Sequence, residues 1–419
     1  MNSQETERKC ISMKPLDGMK VLDFTQFTSG PVCSYILADL GAEVVKIENP
    51  PYGDNNHYTA PSLNKNTSYI TSLNHNKKCI LMNMKDPRQV EIFFRMVKAS
   101  DIILDNFKAG TLEKFGVTWE KLQEINPAIV WTSISGYGQT GPWAKRTAYD
   151  ATIQAVGGLM SVTGEKGGRP LKAGVSMADI NSGFLACCAT MAAAVDAKKN
   201  GKGRRIDLAM TDSVFTLIQQ EVNHYLNTGK VIPRMGREHA YYAPYNSFPT
   251  KDGKELLICV RNDDEFESLC RVLGKMEAAS DPVFVSNESR VRHREEVNAL
   301  VAAETLRFES EELEKQLAEA DIPCALIKTI PEAMASEQIA ARNMVVPVSY
   351  DDGTATKIVG SPIKISGMEE MKKAKSHWMG QDTIEYLSRF EDLAVIHEIY
   401  DPILADSKEK WAAKAAKLK

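Results

Sequence analysis

The sequence predicts an α/β fold built on a parallel sheet, and three observations carry that prediction. Through the first half of the chain, short apolar runs suited to buried strands alternate with segments of helical apolar spacing. Helix boundaries are punctuated by Gly30-Pro31 at one start, Gly41 at the matching stop and Asp86-Pro87 at another start. After Met210 the alternation ends and an Asp252-Gly253 turn signal opens a different pattern, which predicts a second, smaller mixed α+β domain.

In chain order, Met19 to Phe24 is a strand candidate, followed by a helix from Val32 to Leu40 and a second strand from Ala42 to Glu48. Cys79 to Met84 is strand-like. The helix opened by Asp86-Pro87 buries Val90, Phe93, Phe94 and Val97 on one face. Asp101 to Asp105, Ile129 to Ile134 and Arg205 to Met210 read as further strands, with helices near Thr111 to Ile125 and Ser182 to Lys199 between them. Strands separated by helices imply βα units and a sheet covered on both faces. Thr211 to Leu226 is predicted helical; Tyr245 to Thr250 and Leu256 to Val260 flank the turn; helices near 264–273, 290–302 and 310–320 precede a strand-like Cys324 to Ile330. The stretches 346–367 and 381–390 hold too few apolar residues for a core of their own and are expected to return to the first domain. The expected division is therefore 14–225, 240–335 and 345–419.

Composition narrows the function classes. The net charge is −4, and the basic clusters, Lys198 to Arg205 and Lys408 to Lys419, are short, which argues against nucleic acid or a membrane surface as partner. The eight cysteines are scattered without a CxxC pair and histidine is sparse, so reduced thiols, no metal site and no permanently bound cofactor are expected. Met1 to Met13 is polar, unlike a signal peptide, and the apolar runs read as shorter than the eighteen or so residues of a membrane span, so a cytoplasmic protein is expected.

In a parallel sheet, ligands bind at the carboxyl ends of the strands. The first such loop, Thr25 to Pro31, lacks the GxGxxG glycines, which excludes a dinucleotide reading; Gly136 to Gly141 matches that pattern by letter, but Pro142 and the absence of a helical pattern behind it make a surface loop an equal reading. Lys77-Lys78, Lys114 and Lys145-Arg146 are basic groups at loop positions that could together hold a polyphosphate. Asp179 is the lone acid where Lys172 to Ala178 gives way to a helix, with no basic residue within five positions. A helix N-terminus favours a carboxylate in its ionised, nucleophilic form at neutral pH; the alternative is a simple helix cap.

Asp23-Phe24-Thr25 with Gly30-Pro31, the run Ala38 to Glu48, Asn76-Lys77-Lys78, Asn106-Phe107, Gly136-Tyr137-Gly138 with Gly141-Pro142, Tyr149-Asp150 and Ala178-Asp179 resemble the class III CoA-transferases, in the family's order. Tyr242 to Tyr245 and Ile322-Pro323-Cys324 extend the resemblance over almost the whole chain. It implies a Rossmann-like large domain made from both ends of the chain, a small domain between, and an interlocked homodimer. It places the nucleophile on Asp179, CoA contacts on Phe27, Thr28, Met82, Asn106, Phe107, Lys114, Lys145 and Arg146, and substrate contacts on Tyr149 and Asp150. The substrates implied are an acyl-CoA thioester and a small carboxylic acid.

Such a reaction runs through an acyl-aspartyl anhydride and an aspartyl-CoA thioester, with backbone N–H groups of the Phe27 to Gly30 loop as candidate oxyanion donors. Two alternatives differ in class. An α-methylacyl-CoA racemase needs a second acid/base, a histidine where this chain has Tyr149, and a phenol is a poor base at neutral pH. A non-catalytic CoA-binding subunit would not need Asp179. The stretch from Asn66 to Lys78 looks more like the 2-hydroxyacid and aryllactate transferases than like the formyl-CoA enzymes, and Phe27, Met160 and Met177 could form an apolar acyl pocket, so a branched or aryl 2-hydroxy acid is expected in preference to oxalate or formate.

Overall fold

A computed structural model describes residues 14–59, 62, 63 and 66–416. The described chain forms two compact units. The first takes in the residues up to Gly157, Gly174–Leu217 and those from Glu337 onward; the second comprises Gly158–Ala173 and Ile218–Ser336.

The first unit is organised around six parallel strands: β1 (Lys20–Asp23), β2 (Glu43–Glu48), β3 (Lys78–Leu81), β4 (Ile102–Asp105), β5 (Val130–Ser135) and β6 (Arg205–Ala209). Their spatial order is β3-β2-β1-β4-β5-β6. The order therefore reverses between β1 and β4, whose register pairs Leu22 with Ile103, and the crevice beyond that pair is where such sheets bind ligands. Central strands read as unbroken apolar runs because both faces are covered; every residue of β4 is buried.

Helices α1 (Ser29–Asp39), α2 (Ser68–Asn74), α3 (Pro87–Lys98), α4 (Asp150–Val156) and α5 (Met177–Asn200) belong to the same unit. Phe93, Met96 and Val97 of α3 join Leu22, Ile80, Ile103 and Trp131 in one core, which Ile396, Ile399 and Tyr400 of the C-terminal helix Leu393–Ala416 complete. That last helix escaped the sequence reading. So did the apolar character of α5, which is long and apolar enough by composition to cross a membrane, contrary to expectation. Its small residues Ser182, Gly183, Ala186, Ala193 and Ala194 are buried within the unit, as in a core helix.

Other differences have local causes. The expected helix from Thr111 to Ile125 is two pieces, Glu113–Phe115 and Trp119–Ile125, because Gly116 turns to φ 79° and Thr118 caps the second piece. The stretch thought too polar for a core forms a three-stranded sheet, Val345–Ser349, Ala355–Val359 and Ala374–Lys375, around Val346, Val348 and Ile358. The second unit pairs Tyr245–Pro249 with Glu255–Cys259 across the expected Asp252-Gly253 turn, and Cys324–Leu326 adds a third antiparallel strand.

Candidate active site

The loop after β1 is held rigidly at the reversal point. Asp23 Oδ1 accepts from the Thr25 N–H at 2.9 Å and from its hydroxyl at 2.5 Å, turning the chain out of the strand. Asn106, just past β4, clamps Gln26 from across the crevice, accepting its N–H at 2.8 Å and donating to its carbonyl at 2.6 Å. Phe27 then adopts φ 60°, a left-handed conformation that a bulky residue rarely takes. Gly30 follows because a Cβ there would stand 2.2 Å from Thr25 Cγ2. Thr28 precedes α1 without capping it; its hydroxyl is instead 2.6 Å from the Tyr69 hydroxyl on α2. The first turn of α1 thus begins with Ser29 and Gly30 N–H groups that the Thr28 side chain leaves uncapped.

Asp179 is the third residue of α5, not its cap. The capping contacts come from Asp150, at the start of α4, whose Oδ1 accepts from the N–H groups of Ala178 at 2.8 Å and Asp179 at 3.2 Å. Asp150 Oδ2 accepts from Nε2 of the buried Gln154 at 2.6 Å, and the same amide nitrogen lies 3.3 Å from the Val175 carbonyl. This arrangement opposes the ionised form expected of Asp179 rather than favouring it. Burial, and then the Asp150 charge, push the Asp179 carboxyl up to about 7, well above the ordinary carboxylate range. Tyr69 shares this environment: burial raises its phenol, the Thr28 contact opposes that, and the Asp179 and Asp150 charges add to the rise.

The remaining expected residues fall into distinct places. Tyr149 is exposed beside Asp150, and its ring meets that of Phe27 edge-on with centroids 6.2 Å apart. Phe107 packs on the main core, 6.4 Å from the Phe24 ring. Met82, just past β3, buries its side chain in that core, and its N–H donates to the Glu48 carbonyl at 2.9 Å. Lys114, Lys145 and Arg146 are exposed, and the Arg146 guanidinium lies 4.6 Å from the centre of the Trp143 ring. The Gly136 to Gly141 loop is tied down, with Gln139 N–H donating to Asp207 and Gly136 packed where a Cβ would stand 2.2 Å from Ala148 Cβ. Met160 belongs to the second unit, whereas Met177 opens α5 in the first. The sequence reading missed Tyr69 and Gln154 as site residues.

A Rossmann-type sheet with an uncapped helix start at its reversal point and a half-buried acid of near-neutral pKa defines a ligand-binding α/β enzyme framework. Comparison with known proteins gives the class: residues 16–383 match CoA-transferase family III, and the chain belongs to that family. It is 34% identical over 386 residues to the succinate–glutarate CoA-transferase of Agrobacterium fabrum, covering 90% of this chain and 96% of that one. It is also 34% identical over 357 residues to the acetyl-CoA:oxalate CoA-transferase of Acetobacter aceti, covering 85% and 90%. The crystal structure of a CAIB/BAIF family protein from Brucella suis superposes with a TM-score of 0.80 at 32% identity, covering 90% of this chain and all of that one. The chain is thus a family III CoA-transferase, with CoA thioesters as substrates.

Proposed function

We propose that this enzyme moves CoA from an acyl-CoA donor to a free carboxylic acid by double displacement at Asp179. The observation that carries the reading is the half-buried Asp179 carboxylate, raised to about 7 beside Asp150, in the unit that also presents the uncapped start of α1. Asp179 attacks the donor thioester carbonyl; the C–S bond breaks, giving an acyl-aspartyl anhydride and CoA thiolate. The thiolate attacks the aspartyl carbonyl, releasing the donor acid and forming the aspartyl-CoA thioester. The acceptor carboxylate attacks that thioester, and the freed thiolate takes the acceptor acyl group, regenerating Asp179. Acylation removes a negative charge from beside Asp150, so the like-charge repulsion that disfavours the free carboxylate favours the acylated one. The Ser29 and Gly30 N–H groups are the oxyanion donors in this reading.

CoA lies along the ends of β1, β3 and β4, against Phe27, Thr28, Phe107 and the Met82 backbone, with Lys114, Lys145 and Arg146 toward its phosphates. Asn106 acts there through its hold on Gln26, and Tyr149 with Asp150 borders the acyl group. The names of the relatives support a short dicarboxylic acid as one substrate. A 2-hydroxy acid is the second reading, supported by the apolar edge that Phe27 and Tyr149 form. The enzyme works as an interlocked homodimer in the cytoplasm; the exposed Phe184, Leu185, Val195 and Phe215 of the first unit supply an apolar face for the partner copy. Purified protein incubated with a panel of acyl-CoA donors and free acids, read by mass spectrometry, should show CoA exchange without any other protein. CoA binding without exchange across the panel would favour the non-catalytic alternative.

A further inference from the structure

Behind the Phe27 turn lies a buried charged cluster that the transfer chemistry does not itself use. Asp54 is completely buried. Its Oδ1 accepts from the Asn56 N–H at 3.0 Å and lies 3.3 Å from the Phe27 nitrogen; its Oδ2 accepts from the ammonium of the buried Lys46 at 3.0 Å. Lys46 also donates to the Thr25 carbonyl at 2.8 Å, so one ammonium joins Asp54 to the base of the loop. Asp54 is fixed in turn: its own N–H donates to Glu48 Oε1 at 2.9 Å, and that oxygen lies 2.8 Å from His57 Nε2. Asn56 closes the clamp by donating to the Phe27 carbonyl at 2.6 Å. Both backbone polar groups of the one left-handed residue in the loop are therefore held from this cluster, while Asn106 holds Gln26 from the other side.

We propose that Asp54 is a positioning residue for the transfer reaction: it holds Phe27 in its left-handed conformation, and so aims Thr28 and the open first turn of α1 at the carbonyl that Asp179 attacks. A bulky residue persists at positive φ only where its surroundings over-determine it, and the Asp54–Asn56 clamp does so here. Burying Asp54, Lys46, Glu48 and His57 has a desolvation cost that an apolar cluster of equal volume would avoid, and the return is a loop with one geometry. The assignment rests on the aspartyl-transfer reading above.

The test is a double-mutant cycle between Asp54→Ala and Phe27→Gly, because glycine takes positive φ without a clamp. With succinyl-CoA and glutarate as assay pair, Asp54→Ala in the wild-type background should lower kcat about 100-fold, the cost of a small misplacement, with KM for the donor nearly unchanged. In the Phe27→Gly background the same substitution should cost less than about 5-fold. Equal losses in both backgrounds would overturn the assignment and reduce Asp54 to a structural role. Asn56→Ala removes the clamp on the Phe27 carbonyl without touching a buried charge; it should lower kcat about 10-fold at unchanged melting temperature, and wild-type kcat in this variant would also overturn the assignment, even if Asp54→Ala does not fold. Mass spectrometry of the wild type treated with succinyl-CoA separates the two levels of inference. A CoA adduct at Asp179 that forms at the same rate in Asp54→Ala contradicts the positioning role alone, whereas its absence from the wild type contradicts the aspartyl reading on which that role depends.

Discussion

Helices α1 and α5 pack so closely that a Cβ on Gly183 would lie 2.6 Å from the Ser29 carbonyl oxygen and from Val32 Cβ, yet their N-termini are treated in opposite ways. The start of α5 is already occupied: Asp150 accepts the N–H groups of its second and third residues, Ala178 and Asp179, so the favourable end of that helix serves Asp150 and not Asp179. Asp179 receives only burial and a like charge, and its affinity for a proton rises accordingly. The start of α1 is left open because Thr28 turns to Tyr69. On the proposed mechanism, one helix terminus sets the basicity of Asp179 and the other offers donors for the charge that its attack would create. The fold alone would not distinguish them.

The largest expected effect comes from removing the nucleophile. Asp179→Ala should lower kcat on the order of 10³-fold or more, while CoA binding measured by calorimetry stays within a few-fold of wild type. Next is the electrostatic pairing. Asp150→Asn keeps an oxygen for the Ala178 and Asp179 N–H groups but removes the charge that helps to raise Asp179, so the acidic limb of the kcat/KM profile should move to lower pH. An unmoved limb would break the comparison between the two helix starts.

The same pairing has a stability signature. A carboxyl whose folded-state pKa is raised from 3.8 to about 7 contributes stability at low pH that is lost as pH rises through about 7. Asp179→Asn, which cannot ionise, should therefore melt higher than wild type at pH 8, by as much as ~4 kcal/mol in stability, and the gain should shrink toward pH 4. A gain independent of pH would contradict the assignment of the charge to this site. The smallest effect tests the seam between the helices. Gly183→Ala should destabilise the protein by about 1 to 3 kcal/mol through overpacking against Ser29 and Val32, seen as a lower melting temperature.

Local pattern carried the sheet but not the pairing of the two helix starts. Strands such as β4 were legible because a parallel strand covered on both faces must be apolar throughout. Asp179 was legible as an isolated acid at a helix start. Its proton affinity was not, because the group that sets it, Asp150, is 29 residues away and meets it only in the fold. The same holds for Asn106 on Gln26, 80 residues apart, and for Tyr69 on Thr28, 41 apart. A usable signal was overlooked in β2: Lys46 and Glu48 are charges flanking the apolar Ile47 in a strand of a buried sheet, and buried charges need partners close by, which Asp54 and His57 turn out to be. The helix Leu393–Ala416 was hidden by Pro402 in its interior and by its many exposed polar residues. Gly158–Ala173 groups with Ile218–Ser336 in the second unit, and no change of composition marks where the chain enters and leaves it.

The central claim, covalent catalysis at Asp179, is tested most directly by incubating the enzyme with an acyl-CoA alone, quenching in acid and mapping the peptides by mass spectrometry. The account predicts a hydroxylamine-labile CoA adduct on the peptide containing Asp179, absent from Asp179→Ala. A CoA adduct on a different carboxylate, or full transfer activity in Asp179→Ala, would contradict it.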